Sequence, residues 1–193
     1  MTGRASSGGM TFFADYCRLM PFLSKLARRA KLQYFLGQLP KDARILEVGC
    51  ADGWFGEHAV RHGWTDLTGI DILQPAAPLP HAFVHGDIND WQALGLAANS
   101  FDAIVAFEVI EHGDFYEALA ALLKPGGKLM VTTPVPHMDW LCRVMERAGV
   151  NQRRSSPHTH LIYLKDLPDS FALQRSYVKG GVSQWGVFER VPL

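Results

Sequence analysis

The sequence predicts an α/β fold with a mostly parallel sheet and helices on both faces. An apolar run at residues 44–48 meets a cluster of small residues before helical character resumes near Trp54. Further apolar runs at 66–72 and 101–107 alternate with turns and helical periodicity, which is typical of strands buried on both faces of a parallel sheet. At 193 residues the chain is long enough for one such domain and too short for two typical ones.

Charge and cysteine content limit the ligands and the cellular compartment that we expect for the protein. Lys plus Arg and Asp plus Glu number 19 each, so the formal net charge is zero, and the pI of about 7.1 predicts no strong attraction to nucleic acid or anionic membranes. The net charge does not exclude a nucleic-acid-binding protein that uses a local basic patch. The three cysteines are widely spaced and odd in number, which favours a reducing interior, and we expect a cytoplasmic protein. No signal peptide or apolar run of 18 residues is visible.

The N-terminal region divides into a leader and a helical segment. Residues 1–10 are rich in Gly and Ser and predict a flexible leader. Residues 11–40 carry apolar side chains at helical spacing and predict two amphipathic helices broken near Pro21. These helices either pack on the sheet edge or cover an active site. The basic residues among them, Lys25, Arg28, Arg29 and Lys31, are most simply a solvated helix face.

The turn after the first strand has the composition of a ligand cradle. Gly49, Ala51 and Gly53 follow one another at intervals of two, with Cys50 between the first two. Small residues let the backbone turn steeply and a ligand approach it, while the next helix points unpaired N–H groups there. The spacing is shorter than the dinucleotide fingerprint, which disfavours a nicotinamide dehydrogenase. Glu47 precedes the first glycine by two residues.

Acidic residues end the next two strands. Asp71 follows Glu47 by 24 residues, where a carboxylate at the end of a second parallel strand can accept both hydrogen bonds of a ribose diol. Alternatively, Asp71 is an ordinary turn residue at the end of this strand. Three prolines between residues 73 and 81 predict that the crossover helix is reduced or absent. Residues 82–85 predict a third strand, which Asp87 follows. One possible role of Asp87 is to cap a helix expected at 90–97.

The second half of the chain adds further elements. Residues 101–107 predict a buried strand whose end carries Glu108, Glu111 and His112, where ligands bind in open parallel sheets. A helix at 115–123, a turn at 124–128 and a strand at 129–133 follow. We then expect a helix at 138–148, a polar loop at 151–159, a short turn within 164–170, and a hairpin of 171–179 with 184–191.

Five landmarks occur in order along the chain: the glycine turn, Asp71, Gly86-Asp87, the run from Glu108 to His112, and the Leu-Lys-Pro-Gly-Gly-Lys-Leu phrase ending at Leu129. Together they resemble the class I S-adenosylmethionine-dependent methyltransferases. The Glu-Val-Ile-Glu-His phrase ending at His112 is similar to the branch with the ubiquinone-biosynthesis O-methyltransferases. This resemblance implies a Rossmann-like, mostly parallel seven-stranded sheet with a C-terminal antiparallel hairpin. It further implies one methyltransferase domain at 11–193, with a helical cap at 11–40, a cofactor half at 41–135 and a substrate-side half at 136–193.

The resemblance also implies the cofactor and its contacts. S-adenosylmethionine would be bound and released as S-adenosylhomocysteine. Asp87 would accept from the adenine amino group, Ile88 would pack on the ring, and Glu108 would line the methionine end. The full set of expected cofactor residues is Glu47, Gly49, Cys50, Ala51, Gly53, Asp71, Ile72, Asp87, Ile88 and Glu108.

Glu108, Glu111 and His112 are the candidates for chemistry. Their spacing lets all three converge if they occupy one helical turn. His112, with Glu111 beside it, can act as the base for an acceptor hydroxyl, or the group can hold a divalent cation such as Mg²⁺. Some ubiquinone-type O-methyltransferases and the small-RNA 2′-O-methyltransferases bind metal at a similar phrase, and the resemblance to the latter makes His158 or His160 a further ligand.

The leading hypothesis is therefore a methyltransferase that acts on a small molecule, at oxygen. An RNA 2′-O-methyltransferase with a Glu/Glu/His metal site is one alternative, disfavoured by the neutral charge. An inactive partner subunit that binds the cofactor is another.

Overall fold

The computed structural model describes residues 22–150 and 158–191. It contains four α-helices and seven strands in these ranges. The helices are α1 Phe22–Leu36, α2 Trp54–Arg61, α3 Tyr116–Leu122 and α4 Asp139–Arg147. The strands are β1 Ile45–Val48, β2 Leu67–Asp71, β3 Ala82–His85, β4 Phe101–Phe107, β5 Leu123–Pro134, β6 Phe171–Lys179 and β7 Ser183–Arg190. Short 3₁₀ turns lie at Ile88–Asp90, Pro136–Met138 and Leu164–Asp166.

The strands form one sheet in the order β3-β2-β1-β4-β5-β7-β6. The first five strands of this order are parallel, and β7 runs antiparallel to both β5 and β6. Strand order reverses between β1 and β4, which pair with each other. The loops after these two strands therefore flank the crevice in which doubly wound sheets bind ligands. The predicted fold class is confirmed.

Side chains cover both faces of the sheet. One core cluster joins Leu119 and Leu122 of α3 to the strands, and the other joins Phe35 of α1 and Phe55 of α2 to the opposite face. Ile104 and Val105 at the middle of β4 face opposite clusters and are both fully buried. Burial on both faces is the reason that β4 is a continuous apolar run.

Helix α1 confirms the second of the two predicted N-terminal helices. The first would lie in residues 11–21, outside the described ranges. The ring of Phe35 is fully buried and lies 4.9 Å from that of Phe107 and 5.5 Å from that of Trp185, measured between centroids. Lys25 and Arg29 are exposed as expected, but the prediction of a solvated face is wrong for Lys31, which is buried because it pairs with Glu108.

Two segments differ from the predicted secondary structure. The helix expected at 90–97 is a 3₁₀ turn at Ile88–Asp90 followed by further turns, where Gly95 takes a φ of +75°. The turn expected at 124–128 lies within β5. Pairing with β4 passes from Phe101↔Leu123 directly to Ala103↔Lys128, so the residues between are an excursion of a longer strand.

Two further connections agree with the prediction, whereas residues 151–157 of the expected polar loop lie outside the described ranges. Residues 72–81 contain no helix, as three prolines in this stretch predict, and β6 and β7 form the expected hairpin. No helix in the described ranges has both the length and the apolar character needed to cross a membrane.

Candidate active site

The glycine turn after β1 brings two loops together. Gly49 has a φ of +70°, and a Cβ atom there would lie 2.4 Å from Cγ2 of Val109 in the loop after β4. Gly53 has a φ of +69°, and a Cβ atom there would lie 2.6 Å from Cδ2 of Leu79. Both positions therefore require glycine for backbone shape and for close approach. Ala51, between them, also has a positive φ, of 47°.

Glu47 lies beneath this turn and is almost completely buried. Its Oε2 accepts a hydrogen bond from the Gly56 N–H at 3.2 Å. Burial, the largest influence, raises its pKa to about 8, and the nearby Asp52 and Asp71 carboxylates add to the effect. Burial likewise raises the pKa of the Cys50 thiol to about 12, so Cys50 is a packing residue rather than a nucleophile.

Asp71, at the end of β2, connects the loop after β1 to the loop after β2 through hydrogen bonds. Its Oδ2 accepts from the Ala51 N–H at 2.8 Å and its Oδ1 from the Leu73 N–H at 2.9 Å. Each oxygen keeps a further lone pair, so these bonds orient the carboxylate without exhausting it. Ile72 follows directly and is 66% exposed. An exposed apolar side chain beside a held carboxylate suits the planar base and ribose of a nucleoside.

Asp87 acts as a cap in the structure. Its Oδ1 accepts from the Asn89 N–H at 2.9 Å and so begins the 3₁₀ turn, which is the capping role that the sequence left open. Ile88 is buried in the core cluster under α3. Contact of either residue with an adenine stays a prediction.

Glu108 begins the loop after β4 with an unusual backbone conformation. Its φ is +57°, in the left-handed region that non-glycine residues seldom adopt. Its Oε1 accepts from Lys31 Nζ at 2.8 Å and from Thr132 Oγ1 at 2.9 Å. Partial burial alone would raise the pKa of this carboxyl, but the Lys31 charge and these hydrogen bonds outweigh that effect and hold the pKa below its usual range.

The expected helical turn over Glu108, Glu111 and His112 is absent, and this prediction is wrong. The left-handed backbone at Glu108 breaks the helical path and turns its side chain toward Lys31. Within the described ranges, the group that can share one ion is instead Glu111, His112 and His158, whose donor atoms lie within 4.8 Å of one another. Neither Glu108 nor His160 belongs to this group, and His160 bonds to Thr159.

Glu111 is completely buried at the centre of this cluster. Its Oε2 accepts from Thr133 Oγ1 at 3.0 Å, while its buried Oε1 has no hydrogen-bond partner among the described residues. That Oε1 lies 3.9 Å from Nε2 of His158. Burial, reinforced by the charge of Glu108, raises the pKa of Glu111 to about 8. A buried acceptor without a donor is expensive unless it is protonated or meets a cation.

His158 is held by a residue that sequence reasoning missed. Its Nδ1 lies 2.8 Å from Oδ1 of Asp139, and both side chains are almost completely buried. The second oxygen of Asp139 accepts from Arg143 Nε at 3.0 Å. A carboxylate beside Nδ1 favours the tautomer that carries the proton there, so that the basic nitrogen is Nε2, on the side of Glu111. The rings of His112 and His158 meet edge to face, 5.1 Å apart.

This arrangement supports two kinds of chemistry. An imidazole can accept a proton from an acceptor hydroxyl through its unprotonated nitrogen. One carboxylate and two imidazoles can also hold a divalent cation, and the unsatisfied Oε1 of Glu111 together with the Asp139–His158 contact fits that use. His137 belongs to neither arrangement, since its Nδ1 lies 3.0 Å from the Tyr163 hydroxyl.

Comparison with known proteins relates this architecture to a family. The ubiquinone biosynthesis O-methyltransferase of Xanthomonas axonopodis pv. citri is 34% identical over 116 residues, which are 53% of this chain and 48% of that protein. The chain thus spans about half the length of the curated relatives that it matches.

Two solved structures share the fold. The [4+2]-cyclase SpnF is 14% identical with a TM-score of 0.63, over 86% of this chain and 82% of its own. The magnesium protoporphyrin IX methyltransferase of Synechocystis PCC 6803, solved with bound S-adenosylhomocysteine, is 15% identical with a TM-score of 0.58, over 98% of this chain and 90% of its own.

A family model described as a methyltransferase domain matches residues 21–169, which include β1 to β5 and every member of the Glu111, His112 and His158 cluster. The match extends over more than half of the chain. The protein therefore belongs to the methyltransferase domain family, as the resemblance of its sequence predicts.

Proposed function

We propose that the protein is an S-adenosylmethionine-dependent methyltransferase that methylates a hydroxyl oxygen of a small molecule. The observation that carries this proposal is the position of the Glu111, His112 and His158 cluster. Glu111 and His112 lie in the loop after β4, whose Val109 packs against Gly49 of the glycine turn, at the point where strand order reverses. Asp71 bonds to Ala51 of the same turn. The name of the Xanthomonas relative supports oxygen as the methylated atom.

The reaction that this geometry suits is an in-line displacement. The acceptor oxygen forms a bond to the methyl carbon while the carbon–sulfur bond breaks, and the sulfur keeps the electron pair and becomes a neutral thioether. The hydroxyl proton passes to His112 in this proposal, because the His158 side chain is only 6% exposed and is already held by Asp139. The protein otherwise contributes proximity and alignment.

The cofactor residues are assigned by the same proposal. Asp71 would receive the ribose diol, Ile72 would cover one face of the adenine, and Glu108 would meet the methionine end. Glu47 would support the glycine turn from below, because its carboxylate bonds to the Gly56 N–H rather than facing the crevice.

A methyl-transfer assay tests this function. Labelled S-adenosylmethionine is incubated with phenols and catechols, and we expect label to appear as methyl ethers. His112→Ala should retain cofactor binding and lose at least about tenfold in turnover, which is a small estimate for a general base. The matched control is His137→Ala, outside the cluster, which should stay active. A protein that binds the cofactor but labels no hydroxyl compound would contradict oxygen methylation.

A metal-assisted form of the same reaction is the second candidate, favoured by the Asp139–His158 contact. Glu111, His112 and His158 would hold the ion, which would lower the pKa of a bound hydroxyl. Two imidazoles with one carboxylate suit Mn²⁺, Co²⁺ or Zn²⁺ better than the Mg²⁺ that the sequence suggested, since Mg²⁺ prefers oxygen ligands.

Metal content tests this candidate directly. The protein is stripped with chelator, titrated separately with Mn²⁺, Co²⁺ and Zn²⁺, and analysed for bound metal. We expect one ion per chain, with affinity reduced about 10- to 100-fold in Asp139→Asn, which leaves the ligands in place but loosens His158. Lack of Mn²⁺, Co²⁺ and Zn²⁺ binding by the wild-type protein would leave His112 acting as a base without metal.

A further inference from the structure

Helix α1 places two cations on the loops of the candidate cofactor site. Arg28 NH1 lies 3.2 Å from Oδ2 of Asp52, in the loop after β1. Lys31 Nζ lies 2.8 Å from Oε1 of Glu108, in the loop after β4. Residues three apart share one face of a helix. One face of α1 therefore spans the two loops that flank the crevice.

Lys31 is the more buried of the two cations. Its side chain is 9% exposed, and Nζ lies 5.5 Å from the centroid of the Phe107 ring. A lysine is seldom buried to this extent without a paired charge, which Glu108 supplies. The stem of Lys31 thus packs as a core residue while its ammonium group ends at the candidate site.

Lys31 and Thr132 donate to the same oxygen of Glu108. Oε1 accepts both bonds, whereas no hydrogen bond to Oε2 is found within the described ranges. The Glu108 side chain is 40% exposed, so its unbonded oxygen is accessible. Two donors on one oxygen fix the rotamer of a glutamate that would otherwise sample several.

We propose that Lys31 is a positioning residue for the cofactor, which holds Glu108 so that Oε2 receives the α-ammonium group at the methionine end of S-adenosylmethionine. This inference rests on the proposed function. It adds a role for α1, because the helix then completes the cofactor site rather than only covering the sheet. It assigns Lys31 no contact with the reacting atoms.

Two effects of Lys31 on the binding of this ammonium group oppose each other. Its charge repels the ligand, whereas its hydrogen bond keeps Glu108 ionised and oriented. The carboxylate contacts the ligand directly, while Lys31 lies behind Oε1, so the attraction outweighs the repulsion. Orientation before binding adds to affinity because the ligand need not order the side chain itself. Removal of Lys31 should therefore weaken binding, whereas repulsion alone predicts tighter binding.

The test measures S-adenosylhomocysteine affinity by calorimetry in Lys31→Met, Lys31→Arg and Lys25→Met. Lys31→Met should bind about tenfold more weakly, the effect of one charge-assisted hydrogen bond. Lys31→Arg should restore most of the affinity. Lys25→Met removes a lysine on the exposed part of the same helix and should bind as the wild type does. In turnover, Lys31→Met should raise the KM for S-adenosylmethionine more than it lowers kcat.

A second comparison separates positioning from a folding defect. Glu108→Gln is prepared alone and together with Lys31→Met, and thermal unfolding is followed in parallel. If Lys31 acts through Glu108, adding Lys31→Met to Glu108→Gln changes affinity less than about twofold. A further tenfold loss in the double variant, or unchanged or tighter binding by folded Lys31→Met, would overturn the inference. Lack of binding by the wild-type protein would instead contradict the proposed function.

Discussion

Three glutamates near the strand ends differ in charge because their surroundings differ. Glu108 is paired with Lys31, which lowers its pKa. Burial instead raises the pKa of both Glu47 and Glu111 to about 8. Burial therefore favours the protonated form of these two acids. Binding of a cation beside either one would favour release of its proton.

The raised pKa of Glu47 makes a prediction about stability. Its usual value is 4.5, so between pH 4.5 and about 8 the folded state holds a proton that the unfolded state releases. Stability falls as pH rises through this window, by linkage. Glu47→Gln removes this titration. The free energy of unfolding of the variant minus that of the wild type should therefore increase by about 2 kcal/mol or more from pH 5 to pH 8.

Urea unfolding at the two pH values measures this change. Glu111 titrates in the same window in both proteins and so cancels in the comparison. Glu189→Gln, at an exposed position of β7, is the control and should show the wild-type pH dependence. Equal pH dependence in Glu47→Gln and wild type would show that Glu47 is ionised in the folded protein.

The positions of some residues of the candidate site were predictable from the sequence, and those of others were not, for a physical reason. Gly49, Gly53 and Asp71 were predictable because short-range spacing around two strand ends determines their place. The contact of Asp139 with His158 was not, since it depends on how α4 and a later loop meet. The conformation of Glu108 was also missed, because its helical spacing to Glu111 gives no sign of a left-handed residue.

At the scale of elements, α1 depends on aromatic packing. Phe35 is fully buried against Phe107 and Trp185, and no polar contact replaces that area if the ring is lost. Phe35→Ala should reduce the free energy of unfolding by about 3 to 5 kcal/mol, the usual cost of such a cavity.

Chemical denaturation measures this cost. Leu26→Ala, on the same helix but 48% exposed, is the matched control and should change stability by less than about 1 kcal/mol. A Phe35→Ala variant as stable as that control would mean that α1 packs only loosely on the sheet.

The predicted helices and strands agree with the structure where the hydrophobic pattern is strong, and they differ from it where turn-forming residues dominate. The run at Phe101–Phe107 is apolar enough to specify a strand by itself. The segment after Asp90 has helical spacing, but the Asp87 cap and the positive φ at Gly95 favour turns instead. The Pro-Gly-Gly phrase did produce a bend, yet the sheet pairs on both sides of it and makes one strand, β5.

At the scale of the molecule, strand order brings the candidate site together. The loops after β1, β2 and β4 meet although Glu47 and Glu111 are 64 positions apart in the sequence. The fold alone does not determine the reaction, because a structure named as a [4+2]-cyclase shares it. The division into a helical cap, a cofactor half and a substrate-side half stays a prediction, as does a role for the cap in covering the substrate.

The central claim is that the crevice between β1 and β4 binds S-adenosylmethionine through Asp71, and calorimetric titration with S-adenosylhomocysteine tests it most directly. We expect one molecule bound per chain, and affinity at least about tenfold weaker in Asp71→Ala, which loses the ribose acceptor. Asp66→Ala, at the opposite end of the same strand, should bind as the wild type does. Absence of binding by the folded wild-type protein, or full affinity in Asp71→Ala, would contradict the account.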